Sequence, residues 1–388
     1  MPLFLILLYQ VPFTLILLQR LATGRNRLPP LAPKFRSDPL SVSVVIPTLN
    51  EVERLPTCLS NLQTEPVQEV LVVDSNSQDG TRELVSTLAE SYPIPLKLIT
   101  DPPLPKGWVG RPWALHHGFL HSHPQAKWIL GLDADTIPQG GMVASLVHTA
   151  ERDNYDLITI SPRFILKSIG EQLLQPSLLV TLIYRFGATG DPAQFQRDRV
   201  MANGQCMLIK RELLAKIGGY TCAKGSFCDD VTLVRYCAQQ GAKVGFLDGK
   251  NILQIRMYTS GLETWREWGR SLDLKDASTP AQLWMDCLLL LAVQGLPLPL
   301  LLLLLFTQET SLFGALLLGW NGILFLLRYL VQIVIRDSYT EVGIWFWLAP
   351  CSDPFAVFRI WLSALTRPQQ WRGRDYSKPA QEDQMLDS

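Results

Sequence analysis

Residues 41–51 read SVSVVIPTLNE. Val42, Val44, Val45 and Ile46 make a near-continuous apolar run that Pro47 ends, and such runs suit parallel strands covered on both faces. Residues 69–73 make another, ended by Asp74. Between the two, Leu55, Leu59 and Leu62 recur at helical spacing. After Asp74 the stretch SNSQDG has the chemistry of a turn, and Thr81 opens a helix with Leu84, Val85 and Leu88 on one face. A strand at Leu96–Thr100, a loop rich in Pro and Gly, a helix over 113–121 and the strand Trp128–Leu132 continue the alternation. Strands alternating with helices predict an α/β domain with a mainly parallel sheet. In such a sheet ligands sit beyond the carboxyl ends of the strands.

The polar residues fall at those ends. The first strand delivers Thr48, Asn50 and Glu51, the second Asp74, and the fourth Asp133 and Asp135. A single Asp after a strand is an ordinary turn or helix cap; the coincidence of three strands carries the weight. At an extended strand end residues i and i+2 point the same way, so Asp133 and Asp135 can share one hard cation, Mg2+ or Mn2+, and leave positions for phosphate oxygens. A second acidic pair, Asp229 and Asp230, precedes a helical pattern carried by Val231, Val234 and Ala238. The helix dipole alone favours acids there; a general base that takes a proton from an acceptor hydroxyl is the functional alternative.

Composition separates this domain from its flanks. The chain has 388 residues, 47% hydrophobic and 18% charged, against about 25% charged in soluble domains. Its 35 basic and 35 acidic residues cancel, so no global field would gather nucleic acid, and the apolar content excludes a disordered chain. The apolar excess is concentrated. Residues 1–19 are uncharged and are followed by Arg20, Arg25, Arg27, Lys34 and Arg36. Uncharged runs also cover 287–306 and 311–327, the latter continuing through Arg328 to 335. Each approaches the length that crosses a bilayer as helix. Residues 343–365, broken by Asp353, Pro354 and Arg359, read as interfacial. The first run lacks both a preceding basic residue and a small-residue cleavage site, which favours an uncleaved anchor or interfacial helix over 1–22 rather than a signal peptide. Basic residues behind it and at Arg367, Arg372, Arg374 and Lys378 place the soluble domain on the cytoplasmic side of an integral membrane protein. The seven cysteines are scattered, without metal spacing, and read as reduced, buried thiols.

Together SVVIPTLNE, VVDSNSQDGT (72–81), DADT (133–136), DDVTL (229–233) and EWGRS (267–271) resemble the ordered motifs of the family 2 inverting glycosyltransferases. The resemblance covers 41–271 and implies a GT-A fold, that of nucleotide-diphospho-sugar transferases, over 41–280. The N-terminal anchor would flank it on one side. On the other would come a C-terminal membrane region at 284–366, with two spanning helices and one interfacial segment, and a cytoplasmic basic tail at 367–388. It also implies roles. Pro47, Thr48, Asn50 and Glu51 would border a UDP-, GDP- or dTDP-sugar donor and Asp74 its base. The loop from Lys106 through Arg111 to Trp113 would approach the donor, and Asp133 with Asp135 would take the metal and diphosphate. Asp230 would be the base, Asp229 would stand in place of the family's glutamate, and Arg270 would match the arginine of a Gln-x-x-Arg-Trp motif. Glu267 and Ser271 depart from that motif's glutamine and tryptophan, which favours transfer of one sugar over polymer synthesis.

PLPKGWVGRPWAL (103–115), the apolar C-terminal half and WRGRDY (371–376) are similar to bacterial glycosyltransferases of carotenoid and hopanoid pathways, including those that glycosylate the 2'-hydroxyl of myxol. This implies a lipophilic hydroxylated acceptor of carotenoid type and a membrane-lipid environment. Transfer to a polyprenyl phosphate, a hopanoid or another glycolipid is the enzymatic alternative, and a catalytically silent membrane scaffold the non-enzymatic one. His116, His117, His121 and His123 lack metal spacing and read as a polar helix face. Tyr258, Trp265, Trp268 and Trp284 either line an acceptor channel or anchor helices at the bilayer surface. Arg328 is either functional or snorkels from its helix. Asn203, Gly204 and Gln205 form an ordinary turn or, by the resemblance, a loop beside the acceptor.

Overall fold

The computed structural model describes residues 2–195, 198–271, 274–366, 370–371 and 374–375. Arg367, Arg372 and Lys378 of the expected tail lie outside them. The α/β half holds the strands β1 (Val42–Thr48), β2 (Glu69–Asp74), β3 (Leu96–Thr100), β4 (Trp128–Leu132), β5 (Thr136–Pro138), β6 (Leu157–Ser161), β7 (Arg163–Phe164), β8 (Cys206–Lys210), β9 (Val244–Asp248) and β10 (Leu253–Ile255). The main sheet runs β3-β2-β1-β4-β8-β6-β9, and a small one β5-β10-β7. All neighbours in the main sheet are parallel except the two pairs made by β8. The mainly parallel α/β fold expected from the alternation is the fold observed.

The helices are α1 (Pro2–Thr23), α2 (Leu55–Leu62), α3 (Thr81–Ala89), α4 (Gly110–His121), α5 (Met142–Arg152), α6 (Ile169–Phe186), α7 (Arg211–Lys216), α8 (Asp229–Gln239), α9 (Gly261–Ser271), α10 (Pro280–Leu290), α11 (Pro297–Thr307), α12 (Leu312–Ile335), α13 (Ile344–Trp347) and α14 (Asp353–Leu365). The unbroken apolar run of β1 follows from cover on both faces. Val42, Val44 and Ile46 pack into one core with α2 and α5, while Val45 joins Leu71 and Val73 in a second core with α4 and α8. Side chains alternate across a strand, so both faces must be apolar. Helix α4 lies so close to β1 that a Cβ on Gly118 would fall 2.2 Å from Val45. The pairing of Thr48 with Asp74 sets the carboxyl ends of β1 and β2 level.

A third core joins α1, α6, α10, α12 and α14 through Leu17, Leu178, Leu290, Leu324 and Val357. The stretches Pro2–Asn26 and Leu312–Ser338 are long and apolar enough to cross a membrane. The run expected as a further span is a bent pair: α10, extended by a π turn at Leu291–Gly295, meets α11 at 44°. Pro297 accounts for the break, because it can donate no N–H to the helix ladder.

Polar groups inside this bundle pair with one another. Gln10 and Asn321 exchange amide hydrogen bonds of 2.9 and 3.1 Å between α1 and α12. Arg328 does not snorkel. It is 2% exposed and donates from Nε and Nη2 to Asp353 at 2.8 and 3.2 Å, and from Nη1 to Gln332 at 2.7 Å. The aspartate that interrupts the fourth apolar stretch is thus the partner of the arginine that interrupts the third.

Removing one member of a buried ion pair strands the other charge and costs on the order of 3–5 kcal/mol, whereas an apolar replacement of both is nearly neutral. Asp353→Asn is therefore expected to lower the thermal midpoint of the detergent-solubilised protein. The double variant Arg328→Leu/Asp353→Leu should recover most of the loss; failure to recover would show that the pair does more than neutralise itself.

Candidate active site

The loops after β1 and β2 lock together. Asp74 is fully buried, accepts from Ser77 N at 3.0 Å and from Thr48 Oγ1 at 3.3 Å, and so closes its own turn. Asn50, in the left-handed region at φ 57°, donates its N–H to Ser77 Oγ and accepts from Gln78 N through Oδ1, both at 2.9 Å. Asparagine tolerates that conformation better than most residues. Glu51 N and Val52 N donate to Thr81 Oγ1 and Asp79 Oδ2 at 3.0 Å each. The second motif thereby holds the first, leaving Asn50 and Glu51 at the wall of a cavity of ≈ 710 Å³.

Asp133, Asp135, Asp229, Asp230 and Arg111 line the same cavity. Pro47 and Thr48 line a small cavity beside it, shared with Arg111 and Asp133. Asp74 lines neither, and Lys106 is exposed on the loop before α4 and also lines neither. The Arg270 side chain lies outside the described residues. Gly204 and Gln205 line the cavity with Asn203.

Arg111, at the start of α4, holds the acids in place. Its Nε and Nη2 reach Asp133 Oδ1 at 3.0 and 2.9 Å, Nη1 reaches Asp229 Oδ2 at 2.5 Å, and Nη2 donates to Gly204 O at 2.5 Å. The N–H of Gly204 in turn donates to Asp230 Oδ2 at 2.7 Å. Burial alone would lower the Arg111 pKa, but Asp133, Asp229 and Asp230 outweigh it and hold the guanidinium firmly charged. The acids move the other way. Burial pushes Asp229 up to about 6, with Arg111 opposing and Asp230 and Asp133 adding. Burial also raises Asp230 against Arg111 and the Val231 N–H, and lifts Asp135 to about 7, with Asp133 adding and Arg54 opposing.

Asp135 Oδ1 is sealed from solvent and has no hydrogen-bond partner among the described residues. A carboxylate oxygen buried without a donor fits a hard cation better than a structural cap. Among the described residues no group of three or more His, Cys, Asp or Glu is gathered for a metal. Asp133 and Asp135, expected to share a cation, both line the cavity. The histidines pack as a helix face: the His117 and His121 rings lie 4.5 Å apart and His116 Nδ1 accepts from Tyr220 N at 3.3 Å.

Apolar side chains also line the cavity, Phe164, Leu179, Leu182, Phe186, Met257 and Trp268 among them, together with Glu263 and Glu267 of α9. Of the four aromatic residues left with two readings, Tyr258 and Trp268 line the cavity. Trp265 instead packs on Phe358 with ring centroids 6.5 Å apart, and Trp284 on Trp361 at 5.5 Å. The α6 residues and Arg54 are additional cavity residues that motif spacing did not point to. Helix α9 reaches the cavity by lying directly on α6, where a Cβ on Gly170 would meet Gly261 Cα at 2.6 Å.

Residues 43–218, somewhat less than half of the chain, match the family model described as Glycosyl transferase family 2, so this stretch is similar to that family. A curated relative, the 4,4'-diaponeurosporenoate glycosyltransferase of Staphylococcus haemolyticus, is 23% identical over 365 residues, which cover 87% of this chain and 88% of that one. The probable glycosyltransferase YdaM of Bacillus subtilis is 24% identical over 245 residues, 61% of this chain. This chain spans 56% of that relative's length. Among solved structures, S. aureus TarS 1-349 in complex with UDP aligns with a TM-score of 0.42 at 14% identity, covering 82% of this chain and 89% of the other.

Arg111→Gln would leave three carboxylates facing one another, so a lower thermal midpoint is expected. A double-mutant cycle with Asp229→Asn should give a coupling of about 0.5–3 kcal/mol, the range for directly contacting charges. Additive losses would separate Arg111 from Asp229.

Proposed function

We propose that this glycosyltransferase is membrane-bound and inverting, and that it moves one sugar from a nucleotide-sugar donor to a hydroxyl of a hydrophobic, carotenoid-type acceptor, with the 2'-hydroxyl of myxol as the model case. The observation that carries this reading is the single cavity that joins the acidic strand ends to an apolar chamber built partly by α6, a helix shared with the apolar helical core. A long apolar acceptor could enter from the bilayer side and present its hydroxyl at Asp230. The relative named for 4,4'-diaponeurosporenoate supports a carotenoid-type acceptor. The basic residues after α1 support a cytoplasmic catalytic face.

In this mechanism the acceptor oxygen attacks the anomeric carbon from the face opposite the diphosphate. The new C–O bond forms as the old one breaks, with inversion. Asp230 takes the acceptor proton, and burial that raises its pKa makes it a better base near neutral pH. The Gly204 N–H fixes the orientation of its carboxylate. Asp229 holds Arg111, and Arg270 is assigned to the diphosphate by the resemblance alone. Asn50, Glu51, Thr48 and Pro47 border the donor. Asp133 and Asp135 would hold Mg2+ or Mn2+, which supplies charge stabilisation to the departing diphosphate when bound. A diphosphate is already an activated leaving group, so no acid need protonate it.

A phosphate-bearing acceptor fits less well. Glu51, Glu53, Glu263 and Glu267 line the same cavity and disfavour a second anion beside the donor diphosphate.

The test is incubation of the full chain in lipid nanodiscs with UDP-, GDP- and dTDP-sugars and either a hydroxylated carotenoid or a polyprenyl phosphate, read by mass spectrometry. Glycoside on the carotenoid hydroxyl is expected; product on the polyprenyl phosphate alone would overturn the reading. Asp230→Asn should keep donor binding and lose transfer by about 100-fold or more. Asp133→Asn and Asp135→Asn should each abolish the metal dependence of donor binding, measured by calorimetry with and without chelator, and unchanged binding would remove the pair from the site.

A further inference from the structure

Asp286 of α10 is 3% exposed, and three guanidiniums converge on it. Arg199 donates from Nη2 and Nη1 at 3.1 and 3.3 Å, Arg185 Nε lies 3.5 Å away, and Arg20 Nη1 3.7 Å. Arg235 joins the group across Phe186, whose ring centroid is 4.7, 4.8 and 5.8 Å from the Cζ atoms of Arg185, Arg199 and Arg235. Asp198, an acid at the edge of the cluster, accepts from Gln282 Nε2 at 3.2 Å. Among the described residues three guanidiniums thus share one carboxylate, with Arg235 adjacent.

Backbone carbonyls absorb part of the excess: Tyr184 O accepts from Arg20, Arg185 O from Arg199, and Val200 O from Arg235. Arg185 is not so served. It is 2% exposed, and its Nε and Nη1 have no hydrogen-bond partner among the described residues. A buried guanidinium short of acceptors is expensive, and an incoming anion would relieve it.

The position of the cluster says which anion. Arg20 lies in the last turn of the apolar helix α1, and Asp286 immediately precedes the uncharged run 287–306. Around these two residues Leu15, Leu18, Trp284, Met285 and Leu288 are exposed apolar side chains. Arg20 and Arg199, with side chains 26% and 22% exposed, keep N–H groups open to the outside. A cationic surplus at the end of an apolar, outward-facing surface is the chemistry that recognises a lipid headgroup at a membrane surface.

We propose that Arg20, Arg185 and Arg199 form a site for the phosphate of an anionic phospholipid, with its acyl chains along the exposed faces of α1 and α10. The site is separate from the donor cavity, which none of the three residues lines, and it does not depend on the identity of the acceptor. Occupancy would tie α1 to the segment that leads into Asn203 and Gly204, so the lipid acts as a structural ligand of the folded state.

The experiment uses the full chain in nanodiscs of phosphatidylcholine alone or mixed with phosphatidylglycerol, read by thermal unfolding and by native mass spectrometry of retained lipid. Phosphatidylglycerol should raise the midpoint and be retained. Arg199→Gln and Arg20→Gln should lose both effects, while Arg20→Lys keeps them. Equal midpoints in the two lipids, or an increment that survives both Gln variants, would overturn the proposal. So would an equal increment from inorganic phosphate in phosphatidylcholine discs, which would mark a site for a soluble anion. Should Arg199→Gln fail to fold, Arg20→Gln, on a partly exposed side chain, still decides.

Discussion

The Arg111 guanidinium is the constraint on which the acidic site depends. Four carboxylates, Asp133, Asp135, Asp229 and Asp230, line one cavity, and close like charges in a partly buried space repel strongly. Arg111 holds Asp133 and Asp229 with separate nitrogens and takes the Gly204 carbonyl with the remaining donor. A lysine could carry the charge but not the three-way fork. The same contacts connect the end of β4, the start of α8 and the loop before β8, so the electrostatic clamp is also what aligns three elements distant in sequence. Without it Asp229 and Asp230 would be an acidic helix start like many others.

Helix α6 plays the corresponding part for the apolar end. Its capping box at Ser168 and Glu171 fixes where it begins, and its length lets it pack in the helical core while Leu179, Leu182 and Phe186 reach the cavity. The glycine contact with α9 then brings Trp268, Glu263 and Glu267 to the same cavity. The cavity is amphipathic because it lies where two cores meet, one built around a sheet and one around apolar helices. Neither core alone would supply both a charged floor and an apolar wall.

Much of the α/β half was legible in the sequence because strands covered on both faces carry near-continuous apolar runs, as at Val44, Val45 and Ile46 and at Val70, Leu71, Val72 and Val73, and because turn residues punctuate them. Pro47 did not end its strand; β1 continues one residue beyond it to Thr48. The cavity residues at strand ends were legible for the same reason. What was not legible depends on partners far apart in the chain. Arg328 looked like a lone charge near a helix end, since nothing local marks Asp353, 25 residues later, as its partner. Asp74, assigned by resemblance to a nucleotide base, also closes a turn with Ser77 and accepts from Thr48 across the two strand ends. The aromatic set divides because exposure to a cavity or to a neighbouring helix depends on which way α9 and α10 face. Helix α6 carries no motif and was silent until its packing was seen.

The zero net charge of the chain conceals two unlike concentrations of charge, one acidic around Arg111 and one basic around Asp286. Each has a single counter-charge at its centre, and each therefore has residual valence of one sign facing outward: oxygens toward the donor cavity, N–H groups toward the surface at α1 and α10. The two centres are joined by a short path, since Arg199 on Asp286 is separated from Gly204, which holds both Arg111 and Asp230, by only five residues in chain number. An anion at the basic centre and a cation at the acidic one would each relieve repulsion locally and, through that segment, restrain the same loop. Charge arranged in this way lets the two centres act as two constraints on one stretch of backbone rather than as separate features of two halves of the chain.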